Sequence, residues 1–321
     1  MKKKPFLSIL DPLERLDAEG DTSLALIQEA SSRGVDNFAC ELKDIFVRDG
    51  KVHFLAWPIQ LSKGYTKPPK PLAQKRIMRA EDFSIIFMRK DPPVDEPFIA
   101  ALLMLRCHNP DEVVIVNNPD GVLLANEKLF GQKIAPQFFP KTIVSSARDV
   151  LLDFIAEHDQ VVIKPLWQSA GGGVLAFERG DKNVPSALEL LTKSFTTPIK
   201  AQEYIKNARL GDKRVFVVGG ECIGAINRLP SPDDHRANCH VGGKVEAAVV
   251  DERDREIVAV LKPHLKAMGL HVVGIDVVGG YLTEINVTSP TLIIEMEQLS
   301  QKPHERPIRA QIMDYIEGLI A

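Results

Sequence analysis

"GIDVVGGYLTEINVTSPT", residues 274–291, decides how this chain is read. A Gly279-Gly280 turn separates Asp276 on one arm from Glu284 and Asn286 on the other, and the hydroxyls of Thr288 and Ser289 follow at once. Side chains on a strand alternate faces, so Leu282, Glu284 and Asn286 are expected on one face and Thr283, Ile285 and Val287 on the other. Two oxygen-bearing groups on one face suit a hard cation such as Mg²⁺, which takes oxygen ligands and keeps sites for water or substrate phosphates. An isolated Glu-x-Asn is more often a solvated polar face, so the metal reading needs company. It also makes a geometric demand. With a simple two-residue turn, Asp276 pairs with Thr283; only an odd loop, or a bulge at the glycines, sets Asp276 opposite Glu284 and beside Asn286.

The 321 residues are 45% hydrophobic and 26% charged, with a formal net charge of −3. This is a globular composition long enough for two or three domains. Its near-neutral balance gives no electrostatic footprint for nucleic acid or an anionic membrane. Cys40, Cys107, Cys222 and Cys239 show no paired spacing, which speaks against a disulfide framework or zinc site and for a reducing cytoplasm. The apolar run Phe6 to Leu10 is too short for a signal peptide, and no apolar stretch reaches membrane-spanning length.

Strands alternating with helices from "PFLSIL" to "EVVIVNNP" predict an α/β domain with a mostly parallel sheet over residues 1–122. A helix "NEKLFGQKIA", the strand "QVVIKPL" and a glycine-rich loop define a central lid-like unit, 123–200. Residues 201–321 read as α+β with a mixed sheet. They hold a hairpin across Gly219-Gly220, a helix "RDREIVAVLKPHLKAMG", the hairpin quoted above and a last helix from Ile308.

Lys164 lies in an apolar strand run and precedes Gly171, Gly172 and Gly173. Exposed glycine N–H groups wrap phosphate, and a nearby lysine neutralises it. Without G-K-[ST] this is no Walker loop, and glycines alone suit a plain hairpin tip. Gln202, Glu203, Tyr204 and Ile205 form a stretch able to read an adenine edge and pack on the ring, with Asp212 in reach of a ribose. Arg214 and Arg228 begin and end paired strands, and Arg89 and Lys90 end another. Such arginines are the usual partners of phosphate and carboxylate, although salt-bridged strand ends are also common.

Together "MRKDPPVD" (88–95), "NEKLF" (126–130), "VIKPL" (162–166), "GDKRVFVV" (211–218), "RLP" (228–230), "RANCHVGGK" (236–244) and the opening stretch resemble the ATP-grasp ligases, and among them the bacterial glutathione synthetases. The resemblance implies that Lys128 and Lys164 contact ATP, that Gln202 to Ile205 form the adenine hinge, and that Asp212 lies near the ribose. Asp276, Glu284 and Asn286 would hold two Mg²⁺ ions, with Mn²⁺ the alternative. Arg214 and Arg228 would serve the transferring phosphoryl group. Arg89, Lys90, Thr288 and Ser289 would bind substrate, and the loop after Pro230, with Arg236 and Asn238, would be a lid. It further implies an ATP-dependent carboxylate–amine ligase joining γ-glutamylcysteine to glycine through an acyl phosphate, and a homotetramer. Two departures leave a paralogous ligase with other substrates open. Trp167-Gln168 stand where the family has Asp-Gly, and Ile294 stands where it has arginine. A catalytically silent nucleotide-binding protein is the third reading.

Overall fold

In the computed structural model, residues 3–61, 64–126, 128–167, 172–230, 244–300 and 306–320 are described. The expected sites Gly171, Arg236 and Asn238, with the lid loop, lie outside them.

Three sheets organise the chain. The first holds β1 (Phe6–Ile9), β2 (Asn37–Cys40), β3 (Ile45–Arg48), β4 (Lys51–Ile59), β5 (Arg76–Arg79), β6 (Ile85–Met88) and β7 (Val114–Val116). Its core β2-β1-β6-β7 is parallel, as the continuous apolar runs of β1 and β6 predict, because strands covered on both faces carry no polar alternation. β3, β4 and β5 extend it antiparallel. The second sheet, in the order β10 (Leu175–Glu178), β9 (Gln160–Pro165), β11 (Ile199–Glu203), β8 (Thr142–Ser145), is antiparallel. The third runs β14 (Lys244–Ala248), β13 (Glu221–Leu229), β12 (Asp212–Val218), β15 (Val272–Val278), β16 (Tyr281–Asn286), and is antiparallel throughout rather than mixed.

Nine helices are described: α1 (Thr22–Ser32), α2 (Glu96–Leu105), α3 (Pro119–Ala125), α4 (Phe130–Ile134), α5 (Arg148–Ala156), α6 (Val184–Leu191), α7 (Glu252–Ala267), α8 (Ile293–Leu299) and α9 (Ile308–Glu317). Asp21 caps α1 by accepting from Leu24 N–H, and Asp251 and Asp254 cap α7 reciprocally. The helix expected over "NEKLFGQKIA" shrinks to α4, with Lys128 in the turn before it.

Packing groups the sheets unequally. One core joins Leu7, Ile86 and Met88 of the first sheet to Val215, Ile275 and Val277 of the third, and a second joins Phe6, Ala25 and Phe87 to Phe216, Ile312 and Ile316. The middle sheet has a core of its own, made of Leu151, Ile155, Ile163, Leu188, Ile199 and Ala201. A division after residue 200 would cut β11, whose ladder to β8 and β9 runs on to Glu203.

Candidate active site

Gly279 (φ +54°) and Gly280 (φ +82°) give the left-handed pair of a two-residue turn between β15 and β16. Val278 pairs with Tyr281 and Val277 with Leu282; then Asp276 pairs with Glu284, and Gly274 with Asn286. Thr283 is the residue left over. Its Oγ1 donates to the Asp276 carbonyl at 3.1 Å. The bulge therefore sits past the turn, not at the glycines, and it corrects the expected alternation. One extra residue reverses the phase of a strand. Leu282 enters the core with Ile285 and Val287, while Glu284 and Asn286 join Asp276 on the other face. The β12–β13 hairpin repeats the device: Gly219 and Gly220 turn, and Ile223 is the extra residue.

Arg214 on β12 lies opposite Asp276 and grips both its oxygens, Nη2 to Oδ2 at 3.1 Å. Arg228 on β13 bridges two carboxylates, Asp276 Oδ2 at 3.0 Å and Asp212 Oδ2 at 2.6 Å. Burial pushes the Asp276 carboxyl up, but the two guanidiniums outweigh it and hold the group well below the usual carboxylate range. For Asp212 burial prevails: its pKa is raised, with the Asp276 charge adding and Arg228 opposing. Asp212 Oδ1 is buried with no hydrogen-bond partner among the described residues, which suits a hydroxyl donor from a ligand.

Lys128 Nζ lies 3.1 Å from Glu284 Oε1. Lys128 and Glu284 line one cleft with Leu166, and Lys164 on β9 stands two residues before Leu166; burial lowers its pKa, Glu284 acting against that and Lys128 with it. The oxygen donors fit a hard cation. Glu284 and Asn286 are half-buried on the cleft face, and Asn286 directs its Nδ2 to Asp276 Oδ2 and the Gly274 carbonyl, so Oδ1 is the atom it would offer a cation. Asp276 serves the arginines first. No group of three or more His, Cys, Asp or Glu gathers among the described residues, so a metal set here needs the Asn286 carboxamide.

The other expected residues have the following surroundings. Gln202 donates its amide to Thr142 Oγ1 at 2.8 Å, and the Glu203 and Tyr204 N–H groups go to Lys141 and Gln160 carbonyls at 2.9 and 3.0 Å. These groups hold the hinge segment to the sheet. Ile205 packs on the hairpin tip, 2.8 Å from where a Cβ on Gly279 would stand. Gly173 has φ +68°, open to glycine at little cost, and Gly172 adjoins it. Arg89 is buried and donates to Ser23 Oγ at 3.1 Å and the Pro290 carbonyl at 3.0 Å. Lys90 pairs with Asp11 at 3.0 Å, and Ser289 Oγ donates to Asp91 at 2.7 Å. Arg89 and Ser289 staple the post-hairpin segment to the first sheet, while Lys90 pairs within the first domain. Thr288 lines a small cleft with Pro92, Lys128, Trp167, Glu284 and Asn286. Trp167 is 62% exposed there, whereas Ile294 is buried in the core with Ile293 and Met296, which accounts for its apolar character.

Two buried polar residues had no clear signal in the sequence. Asn117 donates to the Val272 and Val287 carbonyls, both at 2.7 Å, and accepts from Val272 N–H at 2.9 Å. Lys200 donates to the Lys128 carbonyl at 3.1 Å.

Lysines and arginines facing oxygen donors between an antiparallel central sheet and a hairpin-built one define an ATP-grasp ligase, an enzyme that forms a C–N bond. Solved ATP-grasp and related ligases share the fold: D-cycloserine synthetase DcsG aligns over 98% of this chain and 99% of its own at TM-score 0.68 and 17% identity. VanG D-Ala:D-Ser ligase of Enterococcus faecalis aligns over 99% and 100% at 0.58 and 14%. The N-terminal-domain model of prokaryotic glutathione synthetase matches residues 5–122, and the ATP-grasp-domain model matches 127–301. Glutathione synthetase of Thermosynechococcus vestitus is 38% identical over 91% of this chain and 94% of its own, and that of Gloeobacter violaceus 37% over 98% of each. The chain belongs to the prokaryotic glutathione synthetase family. Among the described residues no helix is long and apolar enough to cross a membrane.

Proposed function

We propose that this enzyme joins the cysteinyl carboxylate of γ-glutamylcysteine to the amine of glycine at the expense of ATP, forming glutathione. The observation that carries this is the convergence of Lys128, Lys164, Arg214, Arg228, Glu284 and Asn286 on one cleft in a member of that family. Lys128 and Lys164 bind the triphosphate, and the ribose hydroxyl satisfies Asp212 Oδ1. The carboxylate oxygen attacks the γ-phosphorus, ADP departs, and the glycine nitrogen displaces phosphate from the acyl carbon. Charge moves onto the transferring phosphoryl oxygens, where Arg228 offers its guanidinium, held in place by Asp212 and Asp276. Glu284 and Asn286, with Asp276 behind them, would hold Mg²⁺, which would supply further neutralisation of the phosphate charge. The chain works as three units, 1–122, 123–203 and 204–321, in a cytoplasmic homotetramer.

The test is ADP release with γ-glutamylcysteine plus glycine under Mg²⁺ or Mn²⁺, with glutathione detected as product and the assembly sized in solution. ADP release with another donor or acceptor, and none with this pair, overturns the assignment. A second reading, a ligase of the same chemistry with a different donor, is favoured by exposed Trp167 at the cleft rim; a donor panel decides it.

A further inference from the structure

Lys200 on β11 is a lysine with 0% of its surface exposed. An ammonium is retained at such a depth only when partnered. Its Nζ donates to the backbone carbonyl of Lys128 at 3.1 Å and lies 5.0 Å from the centroid of the Phe139 ring. The register sets Lys200 directly opposite Lys164 on β9, and cross-strand partners share a face, so Lys200 belongs to the cleft side of the middle sheet. Its neighbours Ile199 and Ala201 supply the other side, in that sheet's own core. Phe139 is fixed in turn by Gly131 of α4, where a Cβ would come within 2.5 Å of the ring. Lys128 itself sits in a turn between α3 and α4, outside any strand ladder.

We propose that Lys200 is a positioning residue for nucleotide binding. Its ammonium holds the Lys128 carbonyl, and so sets the direction in which the Lys128 side chain enters the cleft. Lys200 acts through Lys128 and does not touch ATP. The proposal rests on the reading of Lys128 as a phosphate-binding lysine.

The test measures the Kd of a non-hydrolysable ATP analogue with Mg²⁺, and KM and kcat, for wild type, K200M, K200R, K128M and the K200M/K128M double variant. Methionine keeps the length and apolar stem of lysine, and K200Q replaces it if K200M does not fold. Losing a charged hydrogen bond that orders a binding group is expected to raise Kd and KM for ATP roughly tenfold. The expectation is that kcat and the KM of the other substrates stay within about threefold, that K200R recovers most of the loss, and that the double variant binds no worse than K128M alone. ATP affinity unchanged in folded K200M, while K128M loses it, overturns the role of Lys200 alone. Additive losses in the double variant overturn action through Lys128. Unchanged affinity in K128M overturns the phosphate reading of Lys128, and this proposal with it.

Discussion

Lys128 and Glu284 neutralise each other across the cleft, Nζ to Oε1 at 3.1 Å. The two side chains come from different units, one from the turn after α3 and the other from β16. When nucleotide and cation enter, the lysine can turn to phosphate and the carboxylate to metal, so the ion pair stands in for both ligands and keeps the cleft neutral. Glu284→Ala should therefore lower turnover by about 10²-fold or more, the scale for losing a group that stabilises transition-state charge. Its melting temperature should shift by no more than about 3 °C, since an ion pair at the edge of an open cleft, only partly buried, contributes little stability. ADP release and a thermal melt check both; normal turnover would remove Glu284 from the metal site.

Arg228→Ala leaves Asp212 and Asp276 buried side by side without the guanidinium that bridges them. Breaking a buried pair on one side costs about 3–5 kcal/mol. Urea unfolding should register that loss, and kcat should fall more than ATP affinity weakens. Arg228→Lys should recover little, because a single ammonium cannot span two carboxylates.

Asn117→Ala orphans the Val272 N–H and the carbonyls of Val272 and Val287 in a buried seam. A loss of about 2–4 kcal/mol is expected, from the desolvation cost of unpaired buried groups. The urea midpoint measures it, and a change under about 1 kcal/mol would mean the seam relaxes.

His271 is a pH-sensitive element. Burial lowers its pKa from 6.5, and its Nδ1 lies 3.0 Å from Tyr315 OH. Above 6.5 neither the folded nor the unfolded state is charged here. As pH falls through that value the unfolded chain takes up the proton first, so stability declines and then levels off below the folded pKa. His271→Gln should flatten the pH dependence of the melting temperature below 6.5; an unchanged slope assigns it elsewhere.

Several of the charged groups that the structure brings together were legible in the sequence because lysine, arginine and aspartate inside apolar strand runs are expensive and therefore conspicuous: Lys164, Arg214 and Asp276 are of this kind. What escaped depends on phase and depth. The bulge at Thr283 is one surplus residue in a ladder, and no side chain announces it, yet it sends Leu282 and Glu284 to opposite faces. Gln202 and Arg89 have the right chemistry for ligands, but the fold uses their donors on Thr142, Ser23 and Pro290. Lys200 looks like an ordinary strand lysine until its neighbours are placed, and Ile294 owes its identity to packing.

The cores that join the first sheet to the third have a bearing on synthesis. Phe6, Leu26, Phe87 and Val116 rest on Phe216, Val272, Ile312 and Ile316. A nascent chain that has finished β7 must therefore wait, with part of its apolar surface bare, until the last helix leaves the ribosome. The middle sheet meets no such delay, since every residue of its core arrives within one continuous segment. Birth order and maturation order diverge: the segment made second is the first that can be completed.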